Sequence, residues 1–189
     1  MSGALAYKEE YEEYELINGE VYMMARPAFN HMRIESNVFG LFDRYLKGKR
    51  CEAFFEPNVR LSEEDQFIPD VAIVCNPEIL NDPWIDGVPD LVVEILSPST
   101  ARNDKFRKKA AYEKYGVKEY WIVDPLNRTV EIYHLIDGKF ELGGFCVDYR
   151  PRDLELLSER EKAETQTKIK VSIYDDFIID VADVFEDVN

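Results

Sequence analysis

The feature that most constrains the fold is a glutamate in the middle of an apolar run. Residues 91–96 read Leu-Val-Val-Glu-Ile-Leu, and turn-forming residues stand on both sides of the run. A short apolar run between turn signals predicts a strand that is covered on both faces. An ionised Glu94 without a partner would cost several kcal/mol in such a strand, because it has lost its hydration. The run therefore predicts a central strand that carries a charged site.

A second acidic residue stands in a similar position. Residues 68–74 read Ile-Pro-Asp-Val-Ala-Ile-Val, which places Asp70 near the start of another apolar strand. Two carboxylates on neighbouring central strands suit a hard divalent cation, because such ions prefer oxygen ligands. Each acid also has a structural alternative. Asp70 could cap a strand edge, and Glu94 could form an ion pair with a helix lysine.

Composition limits the class of protein. None of the apolar runs approaches the roughly 20 residues that a membrane-spanning helix needs, and the acidic start of the chain lacks the apolar segment of a signal peptide. The three cysteines are Cys51, Cys75 and Cys146. Because they are odd in number and far apart, we expect neither a disulfide framework nor a zinc site, and a cytoplasmic location.

The charge of the chain is strongly negative but uneven. A net charge of −15 opposes non-specific attraction to nucleic acid or anionic lipid. Residues 102–118 nevertheless carry seven lysines and arginines against two acids. This basic stretch follows the Glu94 strand directly. It predicts either a solvated helix face or a helix that returns an amine to the end of the strand.

Periodicity and turn signals predict an α/β (α+β) protein with one domain over residues 1–189. The predicted helices are 30–47, capped by Asn30, and one that starts at Asn103 or Asp104 and ends near Tyr115. The predicted strands lie near 14–24 (a hairpin turned at Asn18-Gly19), 53–61, 68–74, 91–96, 117–123, 129–142 (a second hairpin) and 168–173. The remaining segments are a loop at 76–89, a charged connector or arm at 151–167 and a short helix at 178–185. The core, about 14–136, has the order αβββαβ.

These residues resemble a known nuclease group. Pro69-Asp70, Glu94 and a lysine on the next helix are similar to the PD-(D/E)XK superfamily, and more narrowly to the Uma-two family of restriction endonucleases. The matching stretches are 14–20, His31, 68–74, 89–100, 104–112 and 116–125. The resemblance implies a restriction-endonuclease-like fold, in which helices flank a mixed central β-sheet that has an N-terminal hairpin and a C-terminal β extension.

The resemblance also implies an activity. The chain is expected to be an endonuclease that hydrolyses DNA phosphodiester bonds with Mg²⁺, or Mn²⁺, as cofactor. Asp70, Glu94 and the backbone carbonyl of Ile95 would hold the metal. Lys108 would orient the attacking water and stabilise the charge that develops on the phosphate.

The position of the lysine departs from the simplest superfamily pattern. That pattern places lysine two residues after the glutamate, where this chain has Leu96. The family's relocated lysine corresponds to Lys108, and Lys105 and Lys109 are its competitors. Lys109 points about 100° away from Lys108 on a helix, so both are not expected to reach one site.

Further residues are secondary candidates. Glu20 could be an additional carboxylate or an ordinary polar residue after a turn. His31 could contact a phosphate or only pack at a helix start, and Tyr112 could lie near the site or in the core.

Two alternatives to catalysis remain at the level of the whole chain. One is a catalytically inactive nuclease-fold module that binds nucleic acid or protein, which the net charge favours. The other is an acidic imitation of DNA, which leaves the buried glutamate unexplained. We expect DNA as the partner, with weak or conditional binding, no membrane association and a symmetric homodimer if both strands of a duplex are cut.

Overall fold

The structure, a computed structural model, describes residues 14–189. The acidic segment for which we expect no signal peptide lies almost entirely outside the described residues. The strands are β1 Tyr14–Ile17, β2 Glu20–Met23, β3 Glu52–Phe55, β4 Asn58–Arg60, β5 Gln66–Phe67, β6 Val71–Val74, β7 Leu80–Asn81, β8 Trp84–Asp86, β9 Leu91–Ile95, β10 Glu119–Asp124, β11 Thr129–Ile136, β12 Lys139–Val147, β13 Lys168–Lys170 and β14 Ile178–Asp180. The α-helices are α1 Phe29–Leu46, α2 Lys109–Tyr115, α3 Pro151–Leu154, α4 Glu159–Glu164 and α5 Val181–Val184.

The central sheet has the strand order β12-β11-β10-β9-β6-β3. Strands β3, β6 and β9 pair antiparallel, whereas β10 runs parallel to β9. A parallel neighbour needs a crossover, and the helical residues 101–115 supply it. All five residues of β9 are buried, as the apolar run predicted. The predicted fold class, a mixed sheet flanked by helices, is therefore confirmed.

A second sheet with the order β2-β1-β5-β4-β8-β7 lies beside the first. Its N-terminal hairpin turns at Asn18 and Gly19, whose φ angles of 52° and 75° suit the type of turn that favours these two residues. The predicted strand 53–61 is wrong as a single strand. It breaks at Glu56, where φ is 44°, before Pro57, which has no N–H for a ladder.

The prediction of a loop at 76–89 is wrong in part. Residues Pro77–Ile79 form a 3₁₀ turn, and β7 and β8 follow as a short antiparallel pair. Strand β8 also pairs in parallel with β4. Pro, Asn and Asp dominate this segment, so its local signals are those of turns, and only pairing with a strand distant in sequence makes it extended.

The two faces of the central sheet carry different packing. On one face, α1 and the C-terminal segment share a core that includes Phe42, Trp121, Phe177 and Phe185. On the other face, α2 and the N-terminal hairpin pack around Tyr112 and a second apolar cluster. The buried residues of helix α1 recur at helical spacing, which is typical of a helix that packs one face against a core. The described residues hold no helix long and apolar enough to cross a membrane.

The predicted helix caps are wrong. Helix α1 begins at Phe29, and Asn30 lies inside it, where its side chain donates to the carbonyl of Asn189. The second helical stretch begins at residue 101, so Asn103 and Asp104 are not its cap. Instead the Ser97 hydroxyl accepts from the N–H of Thr100 in the turn before it. Cap residues also hydrogen-bond inside other structures, which is why the pattern misled.

The cysteine prediction is wrong as well. Cys51 and Cys75 form a disulfide, whereas Cys146 is free and buried. Cys51 immediately precedes β3 and Cys75 immediately follows β6, and the register Glu52↔Val74 sets the two cysteines opposite each other. Strand pairing, which the spacing of 24 residues does not reveal, brings them together. The cytoplasmic location stays a prediction.

The C-terminal segment is a small β extension, as predicted, with different limits. Strands β13 and β14 pair antiparallel, and α5 follows directly. The predicted helix at 178–185 is therefore half strand. The connector at 151–167 contains the short helices α3 and α4, the second of which begins with a Ser158–Glu161 capping box.

Candidate active site

A cleft of about 920 Å³ opens where β6 begins and β9 ends. Residues 23–28, which follow the N-terminal hairpin, form one wall, and residues 97–100, which follow β9, form part of another. Asp70, Glu94, Ile95 and Lys108 all line it. The structure thus brings the four principal predicted residues into one cavity.

The two predicted carboxylates face each other across adjacent strands. Val71 pairs with Val93 in the antiparallel ladder, and continuing that register by one residue sets Asp70 opposite Glu94. Asp70 Oδ2 accepts a hydrogen bond of 2.5 Å from the backbone N–H of Ile95. Directly opposed residues in a sheet have neighbouring side chains. The register therefore places both acids at the same edge of the cleft.

Lys108 reaches the glutamate from the crossover helix. Its Nζ lies 2.7 Å from Glu94 Oε1, 2.8 Å from Glu15 Oε1 and 3.7 Å from Asp104 Oδ1. The Lys108 side chain is only 3% exposed. One amine therefore lies among three carboxylates in a site with little water.

A π-helical segment, Asn103–Lys108, delivers this amine. Within it, the Tyr120 hydroxyl donates a 3.0 Å hydrogen bond to the backbone carbonyl of Asp104. A side chain that inserts into the helical ladder is a recognised cause of such irregularities, and π segments are common at functional sites. The wider turn still leaves Asp104 and Lys108 on one face, because their charged atoms lie 3.7 Å apart.

The electrostatics of the cleft favour the binding of a cation. Burial raises the pKa values of Asp70 and Glu94 well above the usual carboxyl range, although Lys108 opposes both shifts. Burial alone would lower the pKa of Lys108, but the carboxylates of Glu15, Glu94 and Asp104 together raise it well above its usual value. Lys108 is therefore an ammonium group, and a single positive charge stands against four carboxyl groups.

His31 lies beside the predicted metal ligands. Its Nε2 is 3.4 Å from Asp70 Oδ1, and its ring also hydrogen-bonds the backbone of Ile95. Burial lowers the pKa of His31. Among the residues that the structure describes, His31 Nδ1 is one of two buried side-chain atoms without a hydrogen-bond partner.

The other secondary candidates separate into near and far. The Tyr112 hydroxyl donates to Glu94 Oε1 at 2.9 Å, so it contacts the site. Lys105 pairs with Glu131 at 3.2 Å, and the Lys109 amine lies 3.3 Å from the centre of the Tyr133 ring. Glu20 is exposed and accepts from the Tyr22 hydroxyl. The last three, Glu20, Lys105 and Lys109, do not line the cleft.

Sequence reasoning missed three acids that surround the site. Glu15 and Asp104 contact Lys108 directly. Glu35 on α1 is 8% exposed, and burial together with the charge of Glu56 raises its pKa to about 7. The signal for Glu15 was its spacing of two from buried Ile17, which puts both on the inner face of β1.

The predicted donors would supply part of the coordination shell of a divalent cation. No group of three or more His, Cys, Asp or Glu side chains in residues 14–189 is arranged as a ready metal site. The predicted set, however, has two carboxylates and one backbone carbonyl, which are hard oxygen donors of the kind that Mg²⁺ takes together with water. The surplus of buried acid over amine supplies the electrostatic reason to take up a cation. The donor chemistry therefore fits Mg²⁺ or Mn²⁺.

Comparison with known proteins gives the family that the sequence resembles. The family model "Putative restriction endonuclease", Uma2, matches residues 4–171. Two uncharacterized proteins of Synechocystis sp. are similar: slr1290, 29% identical over 67% of this chain and 68% of its own length, and sll1609, 30% identical over 68% and 75%.

A solved structure supports the fold independently. It is the crystal structure of a "putative nuclease belonging to DUF820" from Anabaena variabilis, which superposes with a TM-score of 0.65 and 19% identity. The similarity covers 92% of this chain and 90% of the other. At this identity, the likeness concerns the fold. The match over most of the sequence decides the family, and the chain belongs to the Uma2 family of "Putative restriction endonuclease" proteins.

Proposed function

We propose that the protein is a metal-dependent endonuclease that hydrolyses DNA phosphodiester bonds. The observation that carries this proposal is the meeting of Lys108 with Glu94 at 2.7 Å in the cleft that Asp70 also lines. Two strand carboxylates and one ammonium are the groups that metal-assisted phosphodiester hydrolysis uses. Membership of the family described as "Putative restriction endonuclease" supports the same function.

Asp70, Glu94 and the carbonyl of Ile95 would hold Mg²⁺ or Mn²⁺. When bound, such an ion would polarise the phosphate and make a water molecule more acidic. Tyr112 holds one oxygen of Glu94 by its 2.9 Å hydrogen bond, which limits the rotamers of that carboxylate. Asp70 is held in the same way by the N–H of Ile95.

Lys108 would act as a cation rather than as a base. Its raised pKa keeps the amine protonated at neutral pH, so it cannot accept a proton from water. An ammonium in a buried cleft can donate to the attacking water and to a phosphate oxygen, where negative charge grows as the P–O bond to the leaving group breaks. The proton of the attacking water would pass to solvent, because Lys108 keeps its own proton.

The charge of the molecule shapes how DNA would bind. A net charge of −15 repels the phosphate backbone, so we expect weak binding to DNA. Neutralisation of the cleft by a divalent cation would reduce this repulsion locally. The homodimer expected for cleavage of both strands stays a prediction.

The same charge favours the second candidate function, a nuclease-fold module that binds nucleic acid or protein without cutting. This candidate keeps the fold and the family but gives the cleft no chemistry. It predicts no metal-dependent turnover at any substrate, and it leaves the buried ammonium among acids as a structural feature only.

Cleavage of supercoiled plasmid and of single-stranded DNA with Mg²⁺ or Mn²⁺ tests the proposal. We expect metal-dependent nicking by the wild type, loss of nicking in Glu94→Ala and no change in Glu20→Gln, because Glu20 is exposed outside the cleft. Equal background in the wild type and in Glu94→Ala, on both substrates and with both metals, would instead support the non-cutting module.

A further inference from the structure

We infer that Glu15 is a positioning residue, which holds the Lys108 amine in the cleft and ties it to the segment that carries Asp70. The inference rests on the proposed function, because it assigns Glu15 a part in the reaction that needs Lys108. Nothing in the predicted active-site pattern includes this residue.

A single oxygen of Glu15 makes both connections. Oε1 accepts from Lys108 Nζ at 2.8 Å and from the backbone N–H of Ile68 at 2.9 Å. Ile68 stands two residues before Asp70. The carboxylate of Glu15 therefore links three parts of the site: the N-terminal hairpin, the crossover helix and the segment between β5 and β6 that carries Asp70.

The other two carboxylates cannot replace this contact. Glu94 already accepts from Tyr112, and it is the residue proposed to share its oxygens with a metal ion. Asp104 is 3.7 Å from the amine, which is too long for a hydrogen bond. Glu15 is thus the close partner that Lys108 keeps when the charge of Glu94 is shared with a cation. The geometry divides the work, with Glu94 for the metal and Glu15 for the amine.

The hairpin that bears Glu15 is itself held firmly. Strand β1 pairs with β2 on one side and with β5 on the other. At the hairpin turn, buried Asp65 accepts from the N–H of Asn18 at 2.9 Å and from the Tyr115 hydroxyl at 2.8 Å. Tyr115 ends α2, so Asp65 connects the hairpin turn to the end of this helix. The contact between Glu15 and Lys108 connects the hairpin to the residue just before the same helix. A residue that positions another side chain must itself be held in place by its surroundings.

Two substitutions separate the functions of this carboxylate. Glu15→Gln keeps an oxygen that can accept from Ile68 but removes the charge that attracts the amine. Glu15→Asp keeps the charge but withdraws it by one methylene. Glu20→Gln is the matched control, because it alters an exposed glutamate on the same hairpin.

The first readout is kinetic, with DNA and Mn²⁺. We expect Glu15→Gln to lower kcat by roughly 30-fold or more while KM and the half-saturating Mn²⁺ concentration stay within about twofold, since an interaction with the transition state is lost and not a ligand. Glu15→Asp should recover part of kcat. An unchanged kcat would overturn the inference, and so would a loss that saturating Mn²⁺ restores, because Glu15 would then be a metal ligand.

The second readout needs no nuclease activity. A brief pulse of an amine-acylating reagent, located by peptide mass spectrometry, reports how well each lysine is protected. Lys108 should be protected in the wild type, and its labelling should rise by about fivefold or more in Glu15→Gln, because its buried charge has lost a partner. Exposed Lys118 serves as the internal standard. Unchanged protection in Glu15→Gln and Glu15→Asp would overturn the contact, whereas increased labelling in a protein that never cuts DNA would overturn only the proposed function.

Discussion

At the scale of single residues, the site is organised around one ammonium among acids. Lys108 lies within hydrogen-bonding distance of both Glu15 and Glu94, and all three side chains are at least nine-tenths buried. Buried ion pairs are weak sources of stability because each charge has lost its hydration. Stability alone therefore does not explain these buried charges, and their position at the C-terminal end of β9 agrees with the proposed catalytic role.

Removal of the amine should separate catalysis from metal binding. Lys108→Ala is expected to lower kcat by about 10²–10³-fold, because the charge that stabilises the transition state is gone, while Mn²⁺ still stabilises the folded protein. Kinetics and thermal shift measure the two effects. Lys105→Ala is the control, since that amine pairs with Glu131 away from the cleft. Wild-type turnover in Lys108→Ala would refute the assignment of the lysine.

Removal of one ligand charge should abolish stabilisation by metal. A bound ion raises the melting temperature by mass action, so the wild type should show a rise that grows with Mn²⁺ or Ca²⁺ concentration. Glu94→Gln, which keeps the shape and loses the charge, should show none. If both proteins respond equally to millimolar Mn²⁺, the ion binds elsewhere.

The pH dependence of stability should reflect Glu35. Its pKa is raised to about 7 from 4.5, so the protonated form is favoured in the folded state. The contribution of Glu35 to the free energy of unfolding is fully present below pH 4.5. It is lost as the pH rises through about 7, and the loss is at most about 3 kcal/mol. Urea unfolding at several pH values should show this loss in the wild type and in Asp43→Asn, an exposed change on the same helix, but a smaller one in Glu35→Gln.

Sequence reasoning found the acids that break an apolar pattern and missed those that do not. Glu94 stands out because it interrupts a buried strand, and Asp70 stands out because it directly precedes one. Glu15 does not, because it lies in a stretch already rich in glutamate. Its burial depends on the partner at position 108, which is 93 residues away in sequence.

At the scale of elements, turns were predicted better than pairings. The hairpin turn at Asn18-Gly19 has a local cause in backbone conformation, so the sequence was sufficient. The pairing of β4 with β8 has no local signal, and neither has the hydrogen bond from Tyr120 to the carbonyl of Asp104 in the π-helical segment. Long-range contacts of this kind override local propensity.

The two hydrogen bonds that Asp65 accepts form a clamp between the hairpin turn and α2, and this clamp should contribute to stability. Asp65→Ala removes the acceptor for the N–H of Asn18 and for the Tyr115 hydroxyl, and we expect a loss of about 1–3 kcal/mol because two hydrogen bonds to a buried carboxylate are lost. Urea unfolding gives the difference. Glu64→Ala, in the same turn but exposed, should change the free energy of unfolding by less than about 0.5 kcal/mol. Equal effects of the two substitutions would show that the clamp is not formed.

At the scale of the whole molecule, one covalent bond constrains the central sheet. The disulfide between Cys51 and Cys75 joins the edge strand β3 to β6, whose first residue follows Asp70. Cross-linking restricts the unfolded chain, and the typical stabilisation is about 2–4 kcal/mol. The edge strand of the sheet is thereby fastened to a strand of the candidate site.

Reduction should therefore lower stability by about 2–4 kcal/mol. The midpoint of urea unfolding is expected to fall when a thiol reductant is added to the wild type. Cys75→Ser should start from the lower midpoint and be insensitive to reductant, which makes it the control. A wild-type midpoint that does not move, with both thiols shown by mass spectrometry to be free after treatment, would refute this role.

The packing of the C-terminal segment has a practical consequence for anyone who shortens this chain. Phe177, Val181 and Phe185 lie in the same core as Phe42 of α1, and Asn37 donates to the carbonyls of Val184 and Glu186. The predicted nuclease core ends near residue 136, and a fragment trimmed to it would keep every residue that lines the cleft. Such a fragment would expose to water the apolar surface of α1 and the sheet that the C-terminal segment covers. Aggregation during purification, rather than a defect in chemistry, would then be the first thing an experimenter saw.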